Sequence, residues 1–120
     1  VKHFKDSKDG GFYMTADDAE KLLVRTKKLY GGAIPSGNAV AVLNLTRLNR
    51  ITANPDYEKE AYSTLGAFSA EVEKAPSAFP LVLVALDFLF GPSNEIVIAG
   101  KADAELRKLR RTAAAPWLAW

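Results

Sequence analysis

The sequence predicts a mainly helical fold, with antiparallel helical hairpins followed by a short C-terminal strand and helix. Three segments, near residues 38–52, 55–73 and 77–90, each combine a start signal, apolar residues at helical spacing and a stop signal. Hydrophobic residues make up 48% of the 120 positions, which is enough for a core and argues against disorder. The chain has no cysteine, which excludes a disulfide framework and thiol-based sites.

The first helix is expected near residues 38–52, directly after the glycine- and proline-containing loop Tyr30–Asn38. Either Ser36 or Asn38 can cap it, because their side chains can accept from free backbone N–H groups of a first turn. Its apolar residues line more than one face, so we expect it to be buried between neighbours. These residues are Val40, Ala41, Leu43, Leu45, Leu48 and Ile51.

The second helix is expected near residues 55–73. Asn54 suits the N-cap and Pro55 suits the first helical position. One apolar stripe repeats at three and four residues, through Tyr57, Ala61, Leu65, Phe68 and Val72. Since only a few residues around Thr52–Asn54 separate the first two helices, they should form a hairpin.

The third helix is expected near residues 77–90, with Ser77 as its cap and Gly91-Pro92 as its end. The segment is apolar nearly all round, so it should pack against other helices. Asp87 interrupts it, and because desolvation there requires a bonded partner, we expect a structural hydrogen bond.

The C-terminal part predicts a strand near residues 95–99, because Glu95–Gly100 is short, β-branched and bounded by turn residues. A short helix should follow over 102–111, and Trp117 and Trp120 in the tail should pack on the body or leave an apolar patch. We therefore divide the chain into residues 1–92 and an extension over 93–120.

The N-terminal residues are harder to assign. Residues 1–13 mix charges with glycine and indicate a loop. Residues 12–15 and 22–24 each suit a short extended piece, whereas residues 17–20 could instead form a helical turn.

Composition narrows the functional classes. The net charge is +2, from 16 basic and 14 acidic residues, so we expect no nucleic-acid partner. No apolar run is long enough to cross a bilayer, so we expect no membrane partner. The lack of cysteine suits a cytoplasmic location. The chain begins at Val1 rather than Met, so we expect a processed chain or a piece of a longer protein.

A series of short motifs occurs in a fixed order along the chain: Gly10-Gly11-Phe12-Tyr13, Thr15-Ala16-Asp17-Asp18, Leu22-Leu23-Val24-Arg25, Gly32-Ala33-Ile34-Pro35-Ser36-Gly37-Asn38, Ala75-Pro76-Ser77-Ala78-Phe79, Ala85-Leu86-Asp87-Phe88 and Gly91-Pro92. This ordered series resembles the C-terminal region of the thioredoxin-domain-containing family related to spermatogenesis-associated protein 20. The resemblance covers about residues 3–111.

The resemblance implies that residues 1–92 are part of an (α/α)6 toroid similar to six-hairpin glycosidases and to N-acylglucosamine and cellobiose 2-epimerases. The chain departs from the family pattern where that pattern has Asp, at Met14 and Gly31, and also at Thr26 and Ala39. Because two acids are missing, and acids do general acid–base work in such cavities, we expect no catalytic residue and no turnover by this chain alone.

The resemblance also implies carbohydrate as a possible ligand, with Arg25, Tyr30, Ser36 and Asn38 as the binding residues. Each has a structural alternative: an ion pair for Arg25, packing for Tyr30, and helix capping for Ser36 and Asn38. We expect no cofactor and no metal.

Three further sets of side chains are assigned structural roles. Asp17 and Asp18 are adjacent and should point apart, which favours turn acids over a catalytic pair. His3 lacks a partner at catalytic or metal-ligand spacing and should lie on the surface. The basic residues Arg107, Lys108, Arg110 and Arg111 suit a solvated helix end.

Two functions from different classes remain, and a third, nucleic-acid binding through the basic residues 107–111, has the least support. The first is a glycosidase- or epimerase-like toroid fragment with the Tyr30–Asn38 loop at its cavity mouth. The second is a non-catalytic helical scaffold or protein-interaction module. Either way, apolar faces without their neighbours should favour association with a second copy or with the missing parts of a parent protein.

Overall fold

The computed structural model describes residues 2–20, 23–32, 34–92, 96–101 and 104–114. In these residues the chain forms five α-helices, with one 3₁₀ turn over Pro76–Ala78 between the third and the fourth. The helices are α1 (Gly37–Thr52), α2 (Pro55–Ala67), α3 (Ser69–Lys74), α4 (Pro80–Phe90) and α5 (Ala104–Ala114). The predicted mainly helical class is confirmed.

Helix α1 begins where the sequence predicts it. Ser36 is the cap: its hydroxyl oxygen accepts from the Ala39 N–H at 3.2 Å. Asn38, the other capping candidate, lies inside the helix and bonds elsewhere. The helix ends at Ala53, whose left-handed backbone (φ 54°) directs its N–H to the Asn49 carbonyl oxygen.

Helix α2 is capped as predicted, since the Asn54 side chain accepts from the Asp56 N–H at 3.0 Å. The single helix expected over residues 55–73 is instead divided at Phe68, whose φ of −123° leaves the helical region. The Phe68 ring enters the core beside Leu29 and Val82. Burial of this ring accompanies the break, and α3 continues the chain for six residues.

Helix α4 begins at Pro80 rather than at residue 77. Neither the 3₁₀ turn nor α4 has a side-chain cap, so the capping role predicted for Ser77 is wrong. Pro80 can begin the helix without a side-chain cap. It lacks a backbone N–H, and an N–H at the first helical position would have no intrahelical partner. The buried partner expected for Asp87 is also wrong: α4 packs on one face, and Asp87 lies on the exposed side.

The core lies where α1 meets α2 and α4. Helix α2 returns along α1 after the two-residue connection Ala53-Asn54, which gives the predicted hairpin. The buried apolar side chains at these contacts include Ala39, Val42, Leu43, Ala61, Val82, Ala85 and Leu89. Apolar side chains on the outer faces of α1 and α4 stay exposed, among them Val40, Leu48, Leu83, Val84 and Phe88.

The strand predicted near residues 95–99 is wrong for residues 96–99, which form no regular secondary structure; Glu95 lies outside the described residues. Within the described part of the chain no strand pairs with this run, and an isolated strand leaves its N–H and C=O groups without a ladder. The helix expected over 102–111 is confirmed as α5, with residues 102 and 103 outside the described set.

The N-terminal segment, which we define as residues 2–20 and 23–32, contains no helix and no strand longer than one bridge, between Lys5 and Phe12. That bridge agrees with the short extended piece predicted to begin at Phe12. The helical turn considered for residues 17–20 is wrong, since they form turns and bends. Leu22 and the tail with Trp117 and Trp120 lie outside the described residues. No helix in the described residues is both long enough and apolar enough to cross a membrane.

Candidate functional site

Asn38 joins the N-terminal segment to α1. Its Oδ1 accepts from the Phe12 N–H at 2.7 Å, and its Nδ2 donates to the carbonyl oxygens of Phe12 and Lys28, both at 2.9 Å. The side chain thus pairs with the Phe12 backbone as a neighbouring strand would. Because Asn38 is 2% exposed, these bonds place it away from any ligand in solvent.

Ser36 is buried as well, and its hydroxyl serves the first turn of α1. It also lines a cavity of about 220 Å³ between the Tyr30–Asn38 loop and the start of α4, which we call the loop cavity. Gly31, Gly32 and Phe79 line it too. This volume is below the roughly 300–1,000 Å³ of typical ligand sites, so it would hold part of a ligand.

Tyr30 is 61% exposed and stands beside the loop cavity. Its ring meets the Phe79 ring edge to face, with centroids 6.2 Å apart and planes at 88°. Part of the Tyr30 ring is therefore held by packing while much of the side chain faces solvent. Of the four residues predicted to bind a ligand, Ser36 lines this cavity, and Tyr30 contacts the lining residue Phe79.

Arg25 lies elsewhere, against the N-terminal segment. Its Nη2 donates to the carbonyl oxygens of Thr15 at 2.6 Å and His3 at 3.0 Å, and its guanidinium carbon stands 4.1 Å from the centre of the Tyr13 ring. These are a cation–π contact and two charge-assisted hydrogen bonds. They hold together three stretches of the segment.

A buried carboxylate that the sequence analysis missed organises the same segment. Asp6 Oδ2 accepts from the Tyr13 hydroxyl at 2.8 Å and from Lys27 Nζ at 2.7 Å, and its Oδ1 accepts from the N–H groups of Lys8 and Asp9. Lys27 Nζ also donates to the Gly10 carbonyl oxygen at 2.9 Å. We call Asp6, Tyr13 and Lys27 the Asp6 cluster.

The electrostatics of the Asp6 cluster favour a structural role. The Lys27 ammonium, together with the donated hydrogen bonds, holds the pKa of Asp6 far below its usual range. The ionised Asp6 in turn raises the pKa of the Tyr13 hydroxyl above its ordinary value. A carboxylate held in its charged form near neutral pH is a poor general acid, and its lone pairs are already occupied here.

A second polar group forms around His3. Its Nδ1 lies 2.7 Å from Asp17 Oδ1 and 3.5 Å from Asp18 Oδ2. His3 lies on the surface and Asp17 and Asp18 lie in a turn, as expected. Two finer expectations are wrong: His3 has partners, and the adjacent aspartates converge, since residues 17–20 form turns and bends instead of a regular element. The bond from His3 lowers the pKa of Asp17.

His3, Asp17 and Asp18 are also the described residues whose ligand atoms lie close enough to hold a metal ion, all within 4.8 Å of one another. All three side chains are exposed. The Arg25 guanidinium, bonded to the His3 carbonyl oxygen, already supplies positive charge beside them. The geometry shows a hydrogen-bonded group of side chains on the surface.

The resemblance implies an Asp at two positions where this chain has another residue, Met14 and Gly31. Met14 is exposed. At Gly31, a Cβ atom would collide with the Ile34 carbonyl oxygen and the Ser36 backbone nitrogen. The loop as folded here therefore has no room for the Asp that the resemblance implies at that position.

Three curated proteins are similar to this chain. The spermatogenesis-associated protein 20 of rat and that of human are each 34% identical to it over 105 residues, and the mouse protein is 32% identical over the same length. The aligned part is 87% of this chain and 13% of each relative. No family model matches the chain, and no solved structure matches it. The relation expected from the sequence motifs is confirmed, and the chain spans about an eighth of the relatives' length.

Proposed function

We propose, from its relation to spermatogenesis-associated protein 20, that this chain is a non-catalytic helical module of a larger assembly. Its task is to present apolar helix faces to neighbouring helices. The observation that carries the proposal is the contrast between its polar and apolar side chains: the polar groups expected to bind ligand are largely engaged inside the chain, whereas large apolar side chains face outward.

The engaged polar groups argue against catalysis. Asn38 and Arg25 bond to backbone carbonyl oxygens of the N-terminal segment, and Asp6 is paired with Lys27. Glu60 is paired with Lys5 across to α2. Acid–base chemistry on a sugar needs two carboxyl groups facing a substrate, and these carboxylates face bases of the chain itself.

The exposed apolar faces favour an interaction role. On α4, Leu83, Val84 and Phe88 are between 37% and 53% exposed. Beside α1, a groove of about 580 Å³, which we call the α1 groove, is lined by Phe4, Phe12, Tyr13, Val40, Asn44 and Leu48. Contiguous apolar surface of this kind marks interaction sites in proteins that fold in water.

We assign these faces to other helices of a longer protein or, in the isolated chain, to a second copy of itself. An (α/α)6 toroid of the glycosidase or epimerase kind is the arrangement that the resemblance implies for those neighbours. A cytoplasmic location is part of the same proposal and rests on the absence of cysteine.

The test is sedimentation velocity of the full chain over a range of concentrations. We expect self-association that weakens in the double variant Val84→Ser/Phe88→Ser, because it removes apolar area from the exposed α4 face. Ile51→Ser removes a comparable exposed side chain at the end of α1 and should leave association unchanged. A wild-type chain that stays monomeric at every concentration would contradict the proposal.

A second candidate is weak carbohydrate binding at the loop cavity, and the exposure of Tyr30 favours it. Tyrosine rings present an apolar face with a polar tip, which suits a sugar. Calorimetric titration against oligosaccharides and N-acyl sugars should then show binding that is lost in Tyr30→Ala. We expect no turnover of the same compounds, and turnover sensitive to Tyr30→Ala would overturn the non-catalytic assignment.

A further inference from the structure

Helix α5 differs from the other helices in its pattern. Leu106, Leu109 and Ala113 recur at three and four residues and share one face. The remaining positions are mostly polar, and four of them are basic: Arg107, Lys108, Arg110 and Arg111. With Glu105 as its one acid, α5 carries a net charge of +3, whereas the whole chain carries +2. The rest of the chain is therefore slightly acidic, and its excess of positive charge lies in this helix.

Helix α5 also differs in its surroundings. Helices α1, α2 and α4 pack on one another, but α5 makes no extensive contact with another helix in the described part of the chain. Leu109 is 55% exposed, and Lys108, Arg110 and Arg111 are exposed too. Leu106 is partly covered, near Gly100. Leu109 and the bases Lys108, Arg110 and Arg111 thus face outward, whereas Leu106 and Ala113 are partly covered.

We propose that α5 binds the surface of an anionic membrane, lying in the plane of the interface with Leu109 towards the acyl chains. The charge of the helix complements anionic lipid headgroups, and each Lys or Arg near such a surface contributes to binding. A narrow apolar face on a helix whose other positions are mostly charged is typical of interfacial helices. Its eleven residues extend about 16 Å, so α5 lies on a bilayer and does not span one.

The apolar face distinguishes a membrane from a nucleic acid. A phosphate backbone would engage the basic residues and leave Leu109 in water, and α5 contains no aromatic residue to stack on a base. The expectation of no membrane partner came from the lack of a spanning segment, and interfacial binding needs none.

The test is co-sedimentation of the full chain with vesicles of phosphatidylcholine, with and without phosphatidylserine. We expect binding to the phosphatidylserine vesicles alone, and weaker binding as salt is raised. Arg110→Glu/Arg111→Glu should weaken partitioning on the order of 30-fold or more, from about fivefold for each base removed. The matched control is Lys59→Glu/Lys74→Glu, which makes the same change of net charge on α2 and α3 and should have a much smaller effect.

Leu109→Ser tests the apolar face, and we expect it to weaken vesicle binding without changing the net charge. Because α5 lies outside the helical core, circular dichroism and thermal unfolding of α1–α4 should be unchanged in all α5 variants. Equal binding to both vesicle types, no binding to either, or full binding by Leu109→Ser would each overturn the proposal. Tight binding to duplex DNA with no vesicle binding would assign the helix to nucleic acid instead.

Discussion

The N-terminal segment and the helical core are stabilised by different interactions. In the segment, buried positions include Asp6, Gly10 and Gly11, and hydrogen bonds to charged groups join its distant stretches. In the core, Val42 and Val82 are almost fully buried and pack against apolar neighbours. A region without regular secondary structure must satisfy its backbone groups with side chains, whereas a helix satisfies them within itself. The difference explains why one region is rich in polar contacts and the other is not.

The two regions meet at the first turn of α1. Asn38 bonds the segment there, and the Phe68 ring, which belongs to the core, lies against Gly11. Gly11 has a φ of +76°, and a side chain at this position would be strained and would crowd both Phe68 and Asn38. This junction is where a single substitution should affect both regions.

The largest effect is expected from Asn38→Ala. The change leaves the Phe12 N–H and the carbonyl oxygens of Phe12 and Lys28 without their partner, which should lower the free energy of unfolding by about 2–4 kcal/mol. Urea unfolding would measure it. The control is Asn44→Ala, the same change at an exposed position of α1, and it should cost less than about 0.5 kcal/mol. Equal effects at the two positions would show that the junction does not hold the segment.

A smaller change in the free energy of unfolding is expected from substitutions in α4, and it should differ between the buried and the exposed face. Val82 is 1% exposed and Val84 is 53% exposed. Val82→Ala removes two buried methyl groups and should lower the free energy of unfolding by about 2 kcal/mol, whereas Val84→Ala should change it by less than about 0.5 kcal/mol. The same urea titrations would measure both. Both variants are measured at a concentration at which sedimentation shows a monomer, because self-association through this face would also cover Val84. If Val84→Ala still cost as much as Val82→Ala, the outer face of α4 would be packed within the chain itself.

The helical core was predictable because its signals are local. The Asn54 cap, Pro55 and the apolar repeats place α1 and α2 within a residue or two at most boundaries. The break at Phe68 was not predictable from spacing, because Phe68 fits the stripe of α2 and is instead drawn into the core beside Leu29. The exposure of one side of α4 was not predicted for a related reason. A helix that is apolar all round predicts burial on every side, but its sequence does not determine how many neighbouring helices are present.

The Asp6 cluster could not be predicted from periodicity. Its members are 7 and 21 residues apart in sequence, and charge partners at such distances follow no repeat. The one local signal is the Asp6–Gly11 stretch, where an aspartate precedes two glycines in a turn and accepts from N–H groups two and three residues on. The ligand roles proposed for Arg25, Tyr30, Ser36 and Asn38 stay predictions, although the bonds of Arg25 and Asn38 show what those side chains do within the chain.

Lowering the pH should destabilise the N-terminal segment before it destabilises the core. The sign of this effect follows from the pKa of Asp6. Its pKa is lowered in the folded chain, so ionised Asp6 stabilises the fold at every pH above the value it has when unfolded, which is about 4. That stabilisation is lost as the pH falls towards the lower, folded value. Near neutral pH the group is ionised in both states and contributes no pH dependence.

The smallest and most specific effect concerns the free energy of unfolding of wild type and of Asp6→Asn. We expect the difference between these two free energies to change with pH. The free energy of unfolding should be higher for wild type, by an amount that is constant above about pH 5 and narrows between about pH 5 and pH 2. Using the difference removes contributions from groups that titrate alike in both proteins. Urea unfolding at several pH values would measure it. The difference between wild type and Lys27→Met should narrow over the same pH range but by less, because the Lys8 and Asp9 N–H groups and the Tyr13 hydroxyl still bond Asp6 in that variant. A difference that stays constant down to pH 2, or widens, would mean that Asp6 is not held in its ionised form by Lys27. It would contradict the conclusion that polar contacts of Asp6 stabilise the N-terminal segment.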